Sequence, residues 1–208
     1  MSTAGPAAPD PVDVSGAGAA GADRAAESRA SSTAADAGTA PATAPVGAPR
    51  RRRRASVIVA STRASTGVYD DRTGPLIRDW MLDRGFEVGA VVVVADGPPV
   101  ENALRAAIDA GDDLLVTSGG TGVSPTDMTA DATAPLLTAQ LPGFAEELRR
   151  RGSTHTPFAL MSRGLAGVAG RTFVVNLPGS PGGVRDGLGL LGEVVDHVLD
   201  QLSGGDHD

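Results

Sequence analysis

Apolar and polar positions change their rhythm several times along this chain, and each change predicts an element. Residues 55–61, ASVIVAS, form a short apolar run that predicts a buried strand. The polar stretch TRASTGVYDDRTGP follows and reads as a loop. Pro75 suits the first turn of a helix, and Leu76, Ile77, Trp80 and Met81 then share one helical face until Gly85 stops it. FEVGAVVVVA, residues 86–95, is apolar almost throughout, which predicts a single strand buried on both sides. A turn at 96–99 leads to a helix over about 99–110, with Val100, Leu104, Ala107 and Ile108 inward and Gly111 at its end. A strand over 113–118 comes next.

The second half repeats the alternation. Thr129 is the expected N-cap of a helix, with Asp131 in its first turn. Pro142-Gly143 opens another helix, and EELRRRG is its polar end. Residues 157–163 predict a short helix, RTFVVNLP at 171–178 a buried strand, and 181–202 a long helix. In that last helix Leu188, Leu191, Val194, Val195, Val198 and Leu202 are spaced for one face. Strands alternating with helices predict an α/β fold, an open and mostly parallel sheet with right-handed crossovers. Ligands of such sheets lie beyond the carboxyl ends of the strands. The loops expected there are 61–74, 95–98, 117–129 and 176–183.

Composition narrows the domain plan. Of 208 residues, 1–49 are mostly Ala, Gly, Pro, Ser, Thr and Asp, with no aromatic residue and no apolar face. Such a segment cannot bury enough surface to offset the entropy of ordering it. We therefore expect a disordered tail over 1–54, a folded domain over 55–203 and a flexible C-terminus over 204–208. The tail ends in five arginines, Arg50 to Arg54. They read either as a nucleic-acid or anionic-lipid contact or as a solvated junction. A net charge of −7 argues against a broad nucleic-acid surface. The start of the chain lacks a signal peptide's apolar core, and no run approaches the roughly 18 apolar residues of a membrane span. The expected location is the cytoplasm.

Absences decide part of the chemistry. The chain has no Cys, which excludes thiolate metal sites, disulfides and thiol catalysis. It has no Lys, so the glycine-rich TSGGTGVSPTD at 117–127 is not a Walker A loop, which needs one to reach the β- and γ-phosphates. Gly119, Gly120 and Gly122 can still bring amide N–H groups close to an anion, or they can simply make a tight turn. Asn176-Leu177-Pro178-Gly179-Ser180-Pro181 lies in the same setting, either as a second anion loop or as a helix entry capped by Ser180. Asp96 and Asp127 each follow a strand. Either can be an ordinary turn acid. If both face one cleft, they can hold Mg²⁺. A carboxylate can also accept paired hydrogen bonds from an aminated ring such as a pterin or guanine. His155, His197 and His207 have no metal-ligand spacing, and no Gly-x-Ser-x-Gly elbow supports a hydrolase.

Taken together, TSGGTGVSPTDMTADAT, LPGFAEELR, SRGLAGV and VVNLPGSPGGV resemble the molybdenum-cofactor biosynthesis (MoCF) family, in particular its MogA/MoaB-type molybdopterin adenylyltransferases. STRASTGVYDDRTGP and VVVVADG fit that family's first two ligand loops, so the resemblance covers about residues 55–202. It implies a three-layer α/β/α sandwich, assembled as a homotrimer. It implies transfer of AMP from Mg-ATP to the terminal phosphate of molybdopterin, with possible hand-over to the molybdenum-insertion protein. Asp96 and Asp127 match the family's essential acids and are the expected catalytic and Mg²⁺-binding residues. Gly119, Gly120, Thr121, Gly122 and Thr129 match the nucleotide or pterin loop. Pro178, Gly179 and Ser180 match the second phosphate loop, and Ser61, Asp71 and Thr73 match the first loop more loosely. Arg63 and Arg163 are the candidates for charge neutralisation. Two departures stand out: Ala95-Asp96-Gly97 replaces a turn that carries two acids in many relatives, and Thr62-Arg63 stands where relatives often have an acid. The alternative is a non-catalytic molybdopterin carrier or scaffold. A competence-damage type of domain fits less well, because Thr121 and Val123 depart from its loop.

Overall fold

Strand β1 (Arg54–Ala60) is the first regular element of the computed structural model, which describes residues 51–204. Of the disordered tail expected over 1–54, residues 1–50 lie outside the described residues, as do 205–208, but Arg54 already belongs to β1, so the ordered chain starts earlier than expected. Alternate side chains of β1 enter opposite cores, as the pleat requires. Val57 and Val59 join Ile77, Met81, Leu148, Leu191 and Val195 on one face. Ile58 and Ala60 join Val100, Leu104 and Ala132 on the other. The first core is roofed by helices α2 (Gly74–Asp83), α5 (Pro142–Ser153) and α6 (Pro181–Leu202). The second is roofed by α3 (Pro98–Asp109) and α4 (Thr129–Thr133). The result is helix, sheet, helix in three layers, as expected.

Besides β1, the sheet holds β2 (Glu87–Val88), β3 (Val92–Val94), β4 (Leu114–Ser118), β5 (Ala139–Gln140), β6 (Ala166–Ala169) and β7 (Thr172–Leu177). The order is β2-β1-β4-β7-β6-β5, with β3 also on β1. Pairings among β1 to β4 and β7 are parallel, while β6 is antiparallel to both β7 and β5. Every residue of β4 and of β7 is buried, which accounts for their unbroken apolar runs.

Four local expectations need correction. The single strand over 86–95 is two short edge strands. Between Ala55, opposite Val88, and Ile58, opposite Val92, the edge chain carries three residues against two on β1, a bulge at Gly89-Ala90-Val91. The segment is only partly covered at this edge: Val93 packs against the first core and Val94 against the second, while Val92 is exposed. The expected loop after β1 contains a single helical turn, α1 (Thr62–Ser65), whose N-terminus is capped by Ser61. Thr129 is not the N-cap of α4: Met128 holds that position, and Thr129 is fully buried inside the first turn. The segment expected as a helix over 157–163 is a tighter 3₁₀ stretch, Pro157–Met161, capped by Thr156. The strands β5 and β6 have no counterpart in the sequence reading, because they are too short and too rich in Ala and Gly to show a period.

Candidate functional site

Parallel strands β1, β3, β4 and β7 all end at one edge, so their following loops meet there. Ser118 Oγ donates to the Pro178 carbonyl at 3.1 Å, and Gly119 N–H to the Leu177 carbonyl at 3.2 Å. These bonds join the two glycine loops into one wall. The approach demands glycine. Gly119 has φ +91°, and a Cβ there would sit inside contact distance of the Ala60 carbonyl oxygen. Gly120 has φ +63°, and a Cβ would strike the Thr129 hydroxyl. Thr129 itself lines neither cleft described below. It packs behind Gly120, and its Oγ1 is the one buried side-chain polar atom without a partner among the described residues.

A cleft lies on each side of this wall. The polar cleft encloses about 740 Å³. It takes Ser61, Asp71, Thr73, Asp96, Gly119, Gly120, Asp127 and Gly179 of the expected residues. The apolar cleft encloses about 600 Å³ and takes Thr121, Gly122, Pro178 and Ser180. Each glycine loop thus faces both clefts. The sequence reading missed the rest of the apolar cleft, including Leu148, Phe158, Met161 and Arg185. Its available signal was the apolar cluster Phe158, Leu160 and Met161 in an otherwise polar stretch; all three are exposed.

Hydrogen bonding separates working groups from scaffolding. Asp71 Oδ1 accepts from the amides of Thr73 and Gly74, both at 2.9 Å, which caps α2. Ser61 and Ser180 accept from Ala64 N–H and Gly183 N–H and cap α1 and α6. Asp96 Oδ2 accepts from the backbone and hydroxyl of Thr62, at 3.0 and 2.8 Å. Thr62 therefore orients Asp96. Asp127 Oδ2 accepts from Ser124 N–H at 3.0 Å. Each of these two carboxylates keeps its other oxygen without a protein partner among the described residues.

The amide groups are as informative as the acids. Among the described residues, the N–H groups of Gly120, Thr121, Gly122 and Val123 meet no protein acceptor, nor do those of Gly179 and Ser180. Six donors on one wall form a ready cradle for phosphate oxygens. Mg²⁺ fits the donor set. No group of three or more acids and histidines forms a closed cage among the described residues. Two half-open carboxylates beside a phosphate cradle suit an ion that completes its shell with water and phosphate.

Of the arginine candidates, Arg63 lies over the Tyr69 ring at 5.8 Å and lines the polar cleft. Arg163 is engaged with protein. Its Nε donates to the Gly122 carbonyl at 2.7 Å, one terminal nitrogen meets Asp131 at 2.9 Å, and the other meets the Asp127 carbonyl. Outside the clefts, hydrogen bonds from Arg150 and then Arg151 hold Glu147 down to about 2. Arg151 likewise lowers Glu193 through a two-pronged contact at 2.8 and 2.9 Å that pins α5 to α6.

Comparison with known proteins adds a second line of observation. The family profile described as "Probable molybdopterin binding domain" matches residues 56–197. A molybdopterin adenylyltransferase of Helicobacter pylori is 33% identical over 71% of this chain and 86% of its own length. A molybdenum cofactor biosynthesis bifunctional protein of Synechococcus elongatus is 38% identical over 74% of this chain. The chain spans about half the length of the bifunctional relatives it matches. Among solved structures, the molybdopterin biosynthesis Mog protein of Mycobacterium ulcerans is 54% identical, with a TM-score of 0.70 over 72% of this chain and 99% of that one. The molybdopterin biosynthesis enzyme MoaB of Thermus thermophilus is 40% identical, with a TM-score of 0.68 over 75% and 99%.

Proposed function

The chain belongs to the family of molybdopterin binding domains, and from that premise we propose that it is a molybdopterin adenylyltransferase of molybdenum cofactor biosynthesis. One observation carries the reading: the wall shared by the two clefts holds a run of amides without acceptors and is flanked by Asp96 and Asp127. Two phosphate-bearing substrates can then approach from opposite sides and meet at the wall.

In the proposed reaction an oxygen of molybdopterin's terminal phosphate attacks the α-phosphorus of ATP. The new P–O bond forms as the bond to the bridging oxygen of the β-phosphate breaks. Pyrophosphate leaves, and adenylyl-molybdopterin remains. The attacking phosphate is already an anion near neutral pH, with a second pKa of about 6, so the chain need supply no general base. The task left to the protein is in-line placement and balance of charge. The amides of 120–123 and 179–180 bind phosphate oxygens, and the open oxygens of Asp96 and Asp127 are the ones that would hold Mg²⁺. When bound, that ion neutralises phosphate charge and stabilises the leaving pyrophosphate. Thr62 and Ser124 keep the two carboxylates aimed.

The family resemblance further supports a homotrimer in solution and delivery of the product to a molybdenum-insertion protein. It also supports a cytoplasmic location, where ATP is plentiful. No described helix is long and apolar enough to cross a membrane. The test is to mix the purified chain with molybdopterin, Mg²⁺ and α-labelled ATP and look for labelled AMP on the pterin. Transfer that disappears in Asp127→Ala supports the enzyme. Pterin binding without transfer under any Mg²⁺ or ATP supply identifies a carrier, and no pterin binding overturns both.

A further inference from the structure

Arg163 spends its whole side chain on the loop that carries Asp127. Its backbone N–H donates to the Thr121 carbonyl at 2.7 Å, its Nε to the Gly122 carbonyl, and a terminal nitrogen to the Asp127 carbonyl. The remaining nitrogen meets both oxygens of Asp131 in α4, at 3.0 and 2.9 Å. Every nitrogen of the guanidinium is thereby engaged with protein, and Arg163 lines neither cleft. The expectation that it neutralises substrate charge directly is not what the geometry favours.

A planar trans peptide fixes what these bonds do. The N–H of each residue points opposite to the carbonyl of the residue before it. Drawing the carbonyls of Thr121, Gly122 and Asp127 toward Arg163 therefore turns the N–H groups of Gly122, Val123 and Met128 away from it. Gly122 and Val123 line the apolar cleft, and their amides have no protein acceptor. A loop rich in glycine has many other peptide orientations to choose from. The guanidinium removes that freedom with one rigid fork, which an ammonium on a flexible stem cannot imitate. Arg163 is itself braced: Arg149 donates to the carbonyls of its neighbours Ser162 and Gly164, at 3.2 and 3.4 Å.

We propose that Arg163 is the positioning residue of this site, holding the amides of 122–123 and the Asp127 segment in ligand-binding geometry without touching ligand. The proposal rests on the phosphate-binding reading above, and its test is arranged to fail separately. The variants are Arg163→Lys, Arg163→Ala and Asp131→Asn, and the first probe is inorganic pyrophosphate with Mg²⁺ followed by calorimetry. The expected result is an affinity about tenfold weaker in Arg163→Lys at an unchanged melting temperature. Backbone NMR order parameters of the free protein should fall chiefly at 122–123 and 127–128. Free guanidinium ion should restore part of the pyrophosphate binding of Arg163→Ala and none of that of Asp127→Ala. Asp131→Asn should show the same changes more weakly. In the transfer assay, Arg163→Lys should lose about 100-fold in kcat/KM, mostly in kcat.

Wild-type order parameters at 122–123 in Arg163→Lys overturn the proposal, as does wild-type pyrophosphate affinity in that variant. A wild-type chain that binds pyrophosphate but transfers no AMP refutes the adenylyltransferase reading alone. The order parameters need no ligand and judge the role of Arg163 in either case.

Discussion

The two ends of the sheet treat their polar groups in opposite ways. At the end where the parallel strands begin, charge is matched within the protein. Arg51 pairs with Asp113 at 2.7 Å, and Arg53 clamps Asp196 and Asp200 of α6, each at 2.8 Å. Arg54 reaches Asp112 at 3.3 Å and the Ala110 carbonyl at 3.0 Å. At the end where the strands finish, the amides of 120–123 and 179–180 and one oxygen each of Asp96 and Asp127 meet no protein partner among the described residues. Unmatched polar groups are tolerated where water or a ligand can reach them, because desolvation is the cost of leaving them bare. The matched end fastens the fold, and the unmatched end is where binding chemistry belongs. Within the arginine run, Arg51, Arg53 and Arg54 thus act as fasteners.

The contrast can be broken at either end. The largest effect is expected from Asp127→Asn, which keeps an oxygen for Ser124 N–H but removes the charge. AMP transfer should fall roughly a thousandfold while the melting temperature stays put. A large loss of stability instead would make Asp127 a fastener like Asp113. Gly119→Ala comes next. With φ +91° and the Ala60 carbonyl in the way, the loop must shift, at a cost of at least about 2 kcal/mol by denaturant titration. Transfer should be lost with it.

At the matched end, Arg53→Ala should cost about 0.5–1 kcal/mol by denaturant titration, since its partners are largely exposed. It should leave AMP transfer unchanged. A drop in kcat without a drop in stability would erase the proposed division of labour. The smallest effect concerns pH. Glu147 is held at about 2, below its ordinary 4.5, chiefly by Arg150. A depressed carboxyl contributes stability that is complete above its unfolded value and fades as acid protonates it in the fold. The melting temperature should therefore sag as pH falls from about 4.5 toward 2. Glu147→Gln should flatten that part of the profile, and an unchanged slope would rule out its share.

Legibility in the sequence followed the length and burial of each segment. The interior strands at 114–118 and 172–177 were plain, because burial on both faces writes an unbroken apolar run. The edge segment 86–95 carries the same signature, yet it splits at a bulge. Hydrophobicity alone does not say whether a neighbour will arrive. β5 and β6, of two and four residues, leave no period to read. In the site, the glycines and Asp96 and Asp127 stood out by residue type and placement. The apolar cleft did not, because Leu148, Phe158 and Arg185 lie on different elements and converge only when those elements pack.

The sequence by itself determined the alternation of strands and helices, the family, and the loops that hold the chemistry. Each is local in the chain or carried by a contiguous motif. Tertiary structure alone decided which polar groups are consumed by the fold and which stay open. Asp71 and Asp127 look alike as loop acids. Each spends one oxygen on nearby amides, Asp71 at the entry to α2 and Asp127 on Ser124, but Asp127 rests on a loop that Arg163 anchors from 36 residues away. Every buried polar group needs a partner, and only the folded chain settles which groups are near enough to supply it.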